Sequence, residues 1–146
     1  MLGRISLLML LATGAAGGSV VANAAPAKFS KASSLVISSS VTPGNWRIQY
    51  ADGPVKSICL KDILPLIQLA HPGIACSRLV IEDEAQKATI HYSCPGAGWG
   101  RTSLAVETSR LVQINSQGIA GNAPFAFEAE ARRTGVCGDQ TARVRP

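Results

Sequence analysis

The stretch from Cys94 to Cys137 constrains the fold most, because two cysteines there bracket three runs of strand-like sequence. The clearest run is PFAFEAEARR at residues 124–133, in which apolar and mostly charged positions alternate. The apolar set is Phe125, Phe127, Ala129 and Ala131, and the intervening set is Ala126, Glu128, Glu130 and Arg132. A period of two predicts a strand with one side on a core and the other in water. The chain is therefore expected to be built mainly of β-strands.

The first 24 residues have the pattern of a secretory signal peptide. Arg4 provides a basic start, residues 5–18 are apolar and small, and Ala22-Asn23-Ala24 is an A-x-A cleavage motif. The apolar run is shorter than the roughly 20 residues that a spanning helix needs, which disfavours a membrane anchor. We expect cleavage near Ala24 and a periplasmic or secreted mature protein without a membrane span.

All four cysteines follow this cleavage point, and an even number of cysteines in an exported chain predicts two disulfides. They are Cys59, Cys76, Cys94 and Cys137. The favoured pairing is Cys59–Cys76, closing a helical segment, with Cys94–Cys137, tying the last strand to the sheet. The alternative joins Cys76 to Cys94 across a hairpin centred near Ala85, which leaves Cys59 for Cys137. The cysteines lack the close spacing of zinc ligands and the two histidines are isolated, so no metal or other cofactor is expected.

Seven strands and one short helix are predicted in a domain that spans residues 42–137. The strands are expected at residues 45–50, 55–59, 76–82, 88–94, 100–107, 111–119 and 125–134. A buried helix is predicted over Lys61–Ala70, with Asp62 as a cap, Pro65 in the first turn and Pro72-Gly73 as a stop. Residues 25–41 are expected to form a lead-in with an edge strand at Leu35-Val36-Ile37, and residues 138–146 are expected to form a disordered tail. The fold class is α+β, mainly β, a curved antiparallel meander or incomplete barrel of six to eight strands.

The sequence offers no motif for catalysis. The glycines of GAGWG at residues 96–100 open a strand rather than a helix and lack the Walker lysine, so a flexible loop between strands is expected instead of a phosphate site. No serine lies in a G-x-S-x-G motif. Glu128 and Glu130 fall on the charged side of a strand, which predicts solvated carboxylates rather than an acid–base pair. We therefore expect that the protein is not an enzyme.

Five residues form the candidate binding surface: Trp46, Leu66, Trp99, Arg132 and Arg133. The apolar surplus of residues 63–69, together with the two tryptophans, favours a pocket for a small apolar ligand. The alternative is a protein–protein module, such as a periplasmic inhibitor of a cell-wall hydrolase, that presents residues 96–100 or the arginine pair to an envelope protein. The net charge of +5 comes from scattered basic residues and aromatics are only 5%, which disfavours nucleic-acid binding.

The order of several short motifs resembles the domain-of-unknown-function family 3617 (DUF3617), small exported proteins of Gram-negative bacteria. The motifs are G-x-W at residues 44–46, cysteines at 59 and 76, C-x-G-x-G at 94–98, GNAPF at 121–125 and R-R-x-G-x-C at 132–137. The resemblance covers about residues 42–137. It implies a periplasmic, disulfide-stabilised, mostly antiparallel β domain, and it brings no established activity, cofactor or catalytic residue.

Overall fold

Seven antiparallel strands and two short helical turns make up residues 35–138, the part of the chain that the computed structural model describes. In chain order they are a 3-10 helix (Val36–Ser40), β1 (Gly44–Tyr50), β2 (Val55–Leu60), α1 (Leu64–Ile67), β3 (Ser77–Asp83), β4 (Lys87–Cys94), β5 (Gly98–Thr108), β6 (Leu111–Ala120) and β7 (Ala123–Gly135). The predicted signal peptide and the tail from residue 139 onward lie outside the described residues.

The strands form one open sheet in the order β2-β1-β7-β6-β5-β4-β3. From β3 to β7 each strand pairs with the next one in the chain, as the short turns of the sequence predict. The β1–β2 hairpin then adds to the far side of β7, where Ile48 lies opposite Ala131. The edges of the sheet are therefore β2 and β3. The predictions of a mainly antiparallel fold, of six to eight strands and of one short helix are confirmed.

One side of the sheet, here called the inner face, carries the core. Its rows run across neighbouring strands, because residues that are paired in register share a face. In β7 the predicted alternation is confirmed, with Ala129 and Ala131 buried while Glu128 and Arg132 are exposed. In the next strand, β6, Val112 lies opposite Ala131 and continues this buried row. The opposite side, here called the outer face, is mostly polar.

The helix α1 packs on the inner face and is shorter than the predicted Lys61–Ala70. The Asp62 side chain accepts a hydrogen bond from the Leu64 N–H at 2.9 Å, as expected of a residue near a helix start. Leu66 and Ile67 are fully buried. The helix ends early because the Gln68 backbone leaves the helical region and its side-chain amide bonds later carbonyls of the same turn.

The predicted edge strand at residues 35–37 is wrong, because this segment enters the 3-10 helix. The backbone N–H groups of Val36 and Ile37 donate to the two carboxylate oxygens of Asp83, at 2.8 and 3.1 Å. A single carboxylate thus binds two consecutive backbone N–H groups. The turn also buries Ile37 completely in the core.

The favoured disulfide pairing is also wrong, and the alternative pairing is present. The bridges are Cys59–Cys137 and Cys76–Cys94. Strand register explains both. Ser77 lies opposite Ser93, so the cysteines one position further out face each other with Cα atoms 4.2 Å apart. At the other edge, Asn45 lies between Cys59 and Gly135, which brings Cys137 to within 5.4 Å of Cys59, Cα to Cα.

Candidate functional site

Four buried polar side chains link the segment after α1 to the middle of the sheet. The His71 Nδ1 lies 3.2 Å from the Tyr92 hydroxyl, and the hydroxyls of Thr102 and Ser116 are 2.7 Å apart. The Thr102 hydroxyl donates to the Ile67 carbonyl of α1 at 2.6 Å. All four side chains are almost inaccessible to solvent. Each of these four side chains therefore has a hydrogen-bond partner, as is usual for buried polar groups.

The contacts of His71 assign its tautomer. Its Nε2 lies 3.1 Å from the Ala97 carbonyl oxygen, which only accepts hydrogen bonds, so Nε2 carries the proton. In the neutral ring with this tautomer, Nδ1 accepts a hydrogen bond from the Tyr92 hydroxyl. Burial raises the pKa of Tyr92, and its hydrogen bond with Ser116 opposes that rise in part. The phenol is thus held protonated, and the cluster acts as a polar anchor in the core.

Two strand glycines make room for this cluster. Tyr92 lies opposite Gly100 in the sheet, and a Cβ on Gly100 would overlap the Tyr92 ring and its hydroxyl oxygen. Gly98 has a φ of +125°, and a Cβ there would overlap the Ile119 carbonyl of β6 and would also lie 3.2 Å from the His71 Nε2. The prediction of a flexible loop over residues 96–100 is wrong for residues 98–100, because β5 already begins at Gly98. These glycines are needed for close packing in the sheet.

A groove lined by aromatic rings lies beside this cluster on the inner face. Phe125 and Phe127 stack with ring centroids 5.9 Å apart, and Tyr50 meets Phe127 edge-on at 5.1 Å. Both phenylalanines are only half-buried, although they continue the core-facing row of β7. Leu69 and Pro72, from the segment after α1, form the opposite wall of a groove of about 430 Å³. We call this the aromatic groove.

Charged groups stand at the rim of the aromatic groove. The Lys56 Nζ lies 5.4 Å from the centre of the Tyr50 ring, a cation–π contact. Asp52 in the β1–β2 turn and Glu128 in β7 also border the groove. The Glu128 carboxylate accepts a hydrogen bond from the Asn115 amide at 3.2 Å, which holds it against the outer face. The interior of the groove is therefore apolar, while polar groups are confined to its mouth.

The predicted apolar binding residues lie in separate places. Trp46 and Leu66 are fully buried in the core, and the Trp46 indole N–H donates to the Thr42 carbonyl. Trp99 lies on β5 rather than on a loop, and 42% of its surface is exposed on the outer face. Its ring is 5.5 Å from that of His91, centroid to centroid. The structure thus separates Trp99 from the other two by the thickness of the sheet.

The two predicted arginines lie near the end of β7, and both side chains interact with groups of the protein itself. Arg132 forms an ion pair with Glu130 at 3.0 Å, and this contact contributes to lowering the pKa of the glutamate. The Arg133 guanidinium donates to the Pro43 carbonyl at 2.9 Å. Sequence reasoning assigned Phe125 and Phe127 to the core, and it gave no sign that both would border a groove. That exposure depends on how far the segment after α1 reaches across the sheet.

Comparison with known proteins gives no relative: no family model, no curated protein and no solved structure matches the chain. The resemblance to DUF3617 therefore stays a prediction. Within residues 35–138, no group of three or more histidine, cysteine, aspartate or glutamate side chains is placed to hold a metal ion. No helix in that part of the chain is long and apolar enough to cross a membrane.

Proposed function

We propose that the protein is a non-enzymatic binding domain of the bacterial envelope that holds a small apolar ligand in the aromatic groove. The two disulfides fit an extracytoplasmic domain, periplasmic or secreted, because such bonds persist in oxidising compartments. The signal peptide with cleavage near Ala24, the periplasmic location and the kinship with DUF3617 belong to the same proposal. An intact mass that corresponds to a chain starting at Ala25, less four hydrogens, would support cleavage of the signal peptide and the presence of two disulfides.

One observation supports the ligand most directly. Phe125, Phe127 and Tyr50 face the side of the sheet that carries the core, yet they are not fully covered. Residues in such positions usually bury their surface, since leaving it in water costs about 25 cal/mol per Å². The groove of about 430 Å³ falls within the ordinary range for small-molecule sites, roughly 300–1,000 Å³. An apolar molecule in this groove would complete the burial of the three rings.

Binding of N-phenyl-1-naphthylamine, a neutral apolar dye that fluoresces when it leaves water, tests this proposal. We expect the wild-type protein to bind the dye and Phe125→Ala to bind it about tenfold more weakly, since the lost ring contacts are worth on the order of 1 kcal/mol or more. Trp99→Ala is the matched control, because Trp99 lies on the outer face and should leave binding unchanged. Circular dichroism checks that both variants fold. Equal binding by Phe125→Ala and the wild type would refute the groove.

The second candidate, a protein–protein module such as an inhibitor of a cell-wall hydrolase, is favoured by Trp99. This exposed ring lies beside Ile119 of β6 and above His91, which gives the outer face an aromatic patch. Tryptophan is enriched among the residues that dominate protein interfaces. Inhibition of a cell-wall hydrolase by the wild type, lost in Trp99→Ala but kept in Phe125→Ala, would support this candidate. The opposite dependence would exclude Trp99 as the contact.

A further inference from the structure

A second apolar groove lies on the other side of the segment after α1, and we propose that it binds an alkyl monocarboxylate through Arg78. Arg78 is in β3 and faces the inner side of the sheet, opposite Tyr92. It forms part of the wall of this groove, whose volume is about 320 Å³. We call it the Arg78 groove.

The Arg78 guanidinium lacks an acceptor in the described structure. Its Nη1 is the one buried side-chain nitrogen or oxygen of residues 35–138 that has no hydrogen-bond partner. The acidic side chain that forms an ion pair in this part of the chain is Glu130, and its partner is Arg132. Arg78 as a whole is only half-buried, but a buried N–H of a charged group without an acceptor is still costly, and native structures seldom keep one without a reason. A ligand that brings its own anionic oxygens would remove that cost.

The other walls of the Arg78 groove are apolar. They comprise Ile58, Leu64, Pro65, Leu69, Pro72 and Ile74, with Gly73 and the polar Gln68 between them. Such walls accept an alkyl chain and offer no second cation. One guanidinium matches one carboxylate in charge and in its planar, two-oxygen geometry. A phosphate, with up to two charges, would need further donors that this lining does not supply.

The walls of the groove are held in place by contacts made within the protein. The Gln68 side-chain amide donates to the carbonyls of His71 and Ile74, at 3.1 and 2.8 Å. The Cys76–Cys94 bridge ties the chain to β4 two residues before Arg78. Arg78 itself is on a strand that is paired through most of its length. Such preorganisation lowers the ordering cost of binding.

The Arg78 groove is distinct from the aromatic groove. The two share only Leu69 and Pro72, which separate them, and Arg78 does not line the aromatic groove. The inference therefore does not depend on the ligand proposed above. Either site can fail its test without affecting the other.

Isothermal titration with octanoate, compared with the neutral octanol, tests the inference on the oxidised mature protein. We expect octanoate to bind at least about tenfold more tightly than octanol, because a charge-assisted pair with a desolvated guanidinium adds to the apolar contact. Arg78→Gln should lose about tenfold or more in octanoate affinity and should leave octanol binding unchanged. Arg101→Gln, which removes an exposed arginine from the outer face, is the matched control and should bind octanoate like the wild type.

Three outcomes would overturn the inference: no octanoate binding, equal affinity for octanoate and octanol, or equal losses in the two arginine variants. A measurement on the wild type avoids any folding defect of Arg78→Gln. In the arginine side-chain NMR spectrum, octanoate should shift one guanidinium signal, and a spectrum without any shift contradicts the site. Binding of the neutral dye to Arg78→Gln reports separately on the aromatic groove, so a failure of one proposal is distinguishable from a failure of the other.

Discussion

Removal of the Cys59–Cys137 bridge should destabilise the domain more than removal of the Cys76–Cys94 bridge. The first bridge joins positions 78 residues apart and the second joins positions 18 residues apart. A crosslink restricts the unfolded chain by an entropy that grows with the logarithm of the loop length. At 25 °C this relation gives about 4.5 kcal/mol for the longer loop and about 3.2 kcal/mol for the shorter one. The two variants should therefore differ by about 1.3 kcal/mol in free energy of unfolding.

The variants must remove each crosslink without opening a cavity. Cys59 and Cys137 are both exposed, so Cys59→Ala with Cys137→Ala removes little packing. Cys94 is buried, and its replacement would add a packing loss to the crosslink effect. Cys76→Ala alone opens the second bridge and keeps the Cys94 sulfur in the core. Urea unfolding followed by circular dichroism then compares the two proteins, with a denaturant slope of about 1–3 kcal/mol/M expected for a domain of this size.

On that slope the two midpoints should lie roughly 0.4–1.3 M apart, with the Cys59–Cys137 variant unfolding first. A Cys76→Ala protein that unfolds at the same or a lower urea concentration would refute the loop-length argument. Peptide mapping of the oxidised wild type checks the connectivity itself. A peptide that joins Cys59 to Cys76 would contradict the register on which both estimates depend.

Three further predictions concern the core cluster and the N-terminal turn. Gly100→Ala should lower the free energy of unfolding by about 1–3 kcal/mol, because its Cβ would overlap Tyr92, whereas Gly135→Ala meets no atom within 4 Å and should be nearly neutral in thermal unfolding. The raised pKa of Tyr92 contributes stability that is complete below the unfolded value of 10.0 and is lost as the pH rises towards the folded value. Urea titrations at pH 9 to 11 should therefore show a smaller loss in Tyr92→Phe than in the wild type, and parallel losses would contradict the shift. Asp83→Ala should cost about 1–2 kcal/mol by freeing two backbone N–H groups, and Glu84→Ala, an exposed neighbour, less than about 0.5 kcal/mol by the same assay.

Local patterns in the sequence were sufficient to place most strands. The alternation in residues 124–133 and the turns before it predicted β4 to β7 to within two residues at each end. These features depend on side chains two positions apart, which a sequence shows directly. The helix was placed correctly but was predicted too long, because its end depends on the contacts of Gln68 with carbonyls further along the turn.

Features that depend on strand register were not predictable in the same way. The disulfide pairing follows from which residues face each other across β3 and β4, and periodicity does not determine that offset. The partners of His71 come from β4 and the β4–β5 turn, so the sequence shows the histidine as isolated. The roles of Gly98 and Gly100 depend on the ring that lies over them, and a glycine-rich stretch by itself is equally typical of a loop.

The burial of the Arg78 Nη1 was not apparent in the sequence for a related reason. In the sequence Arg78 is one basic residue at the start of an ordinary strand, and arginines in such positions are mostly exposed. Its Nη1 is buried where Arg78 lines a groove together with Pro72 and Gly73. Whether this guanidinium nitrogen is exposed to water is thus a property of the assembled fold.

The pairing of β1 with β7 has a consequence for how the protein folds. Every other neighbouring pair of strands in the sheet is consecutive in the chain, whereas the β1–β7 pair joins distant positions such as Ile48 and Ala131. A contact between such distant positions forms only after the intervening loop has closed, which slows folding in proteins of high contact order. We therefore expect the β1–β2 hairpin to pair with β7 late in folding, which leaves its unpaired edge open to association with other chains in the meantime. Early oxidation of Cys59 with Cys137 would shorten that interval, and we expect the yield of refolded protein to depend on it.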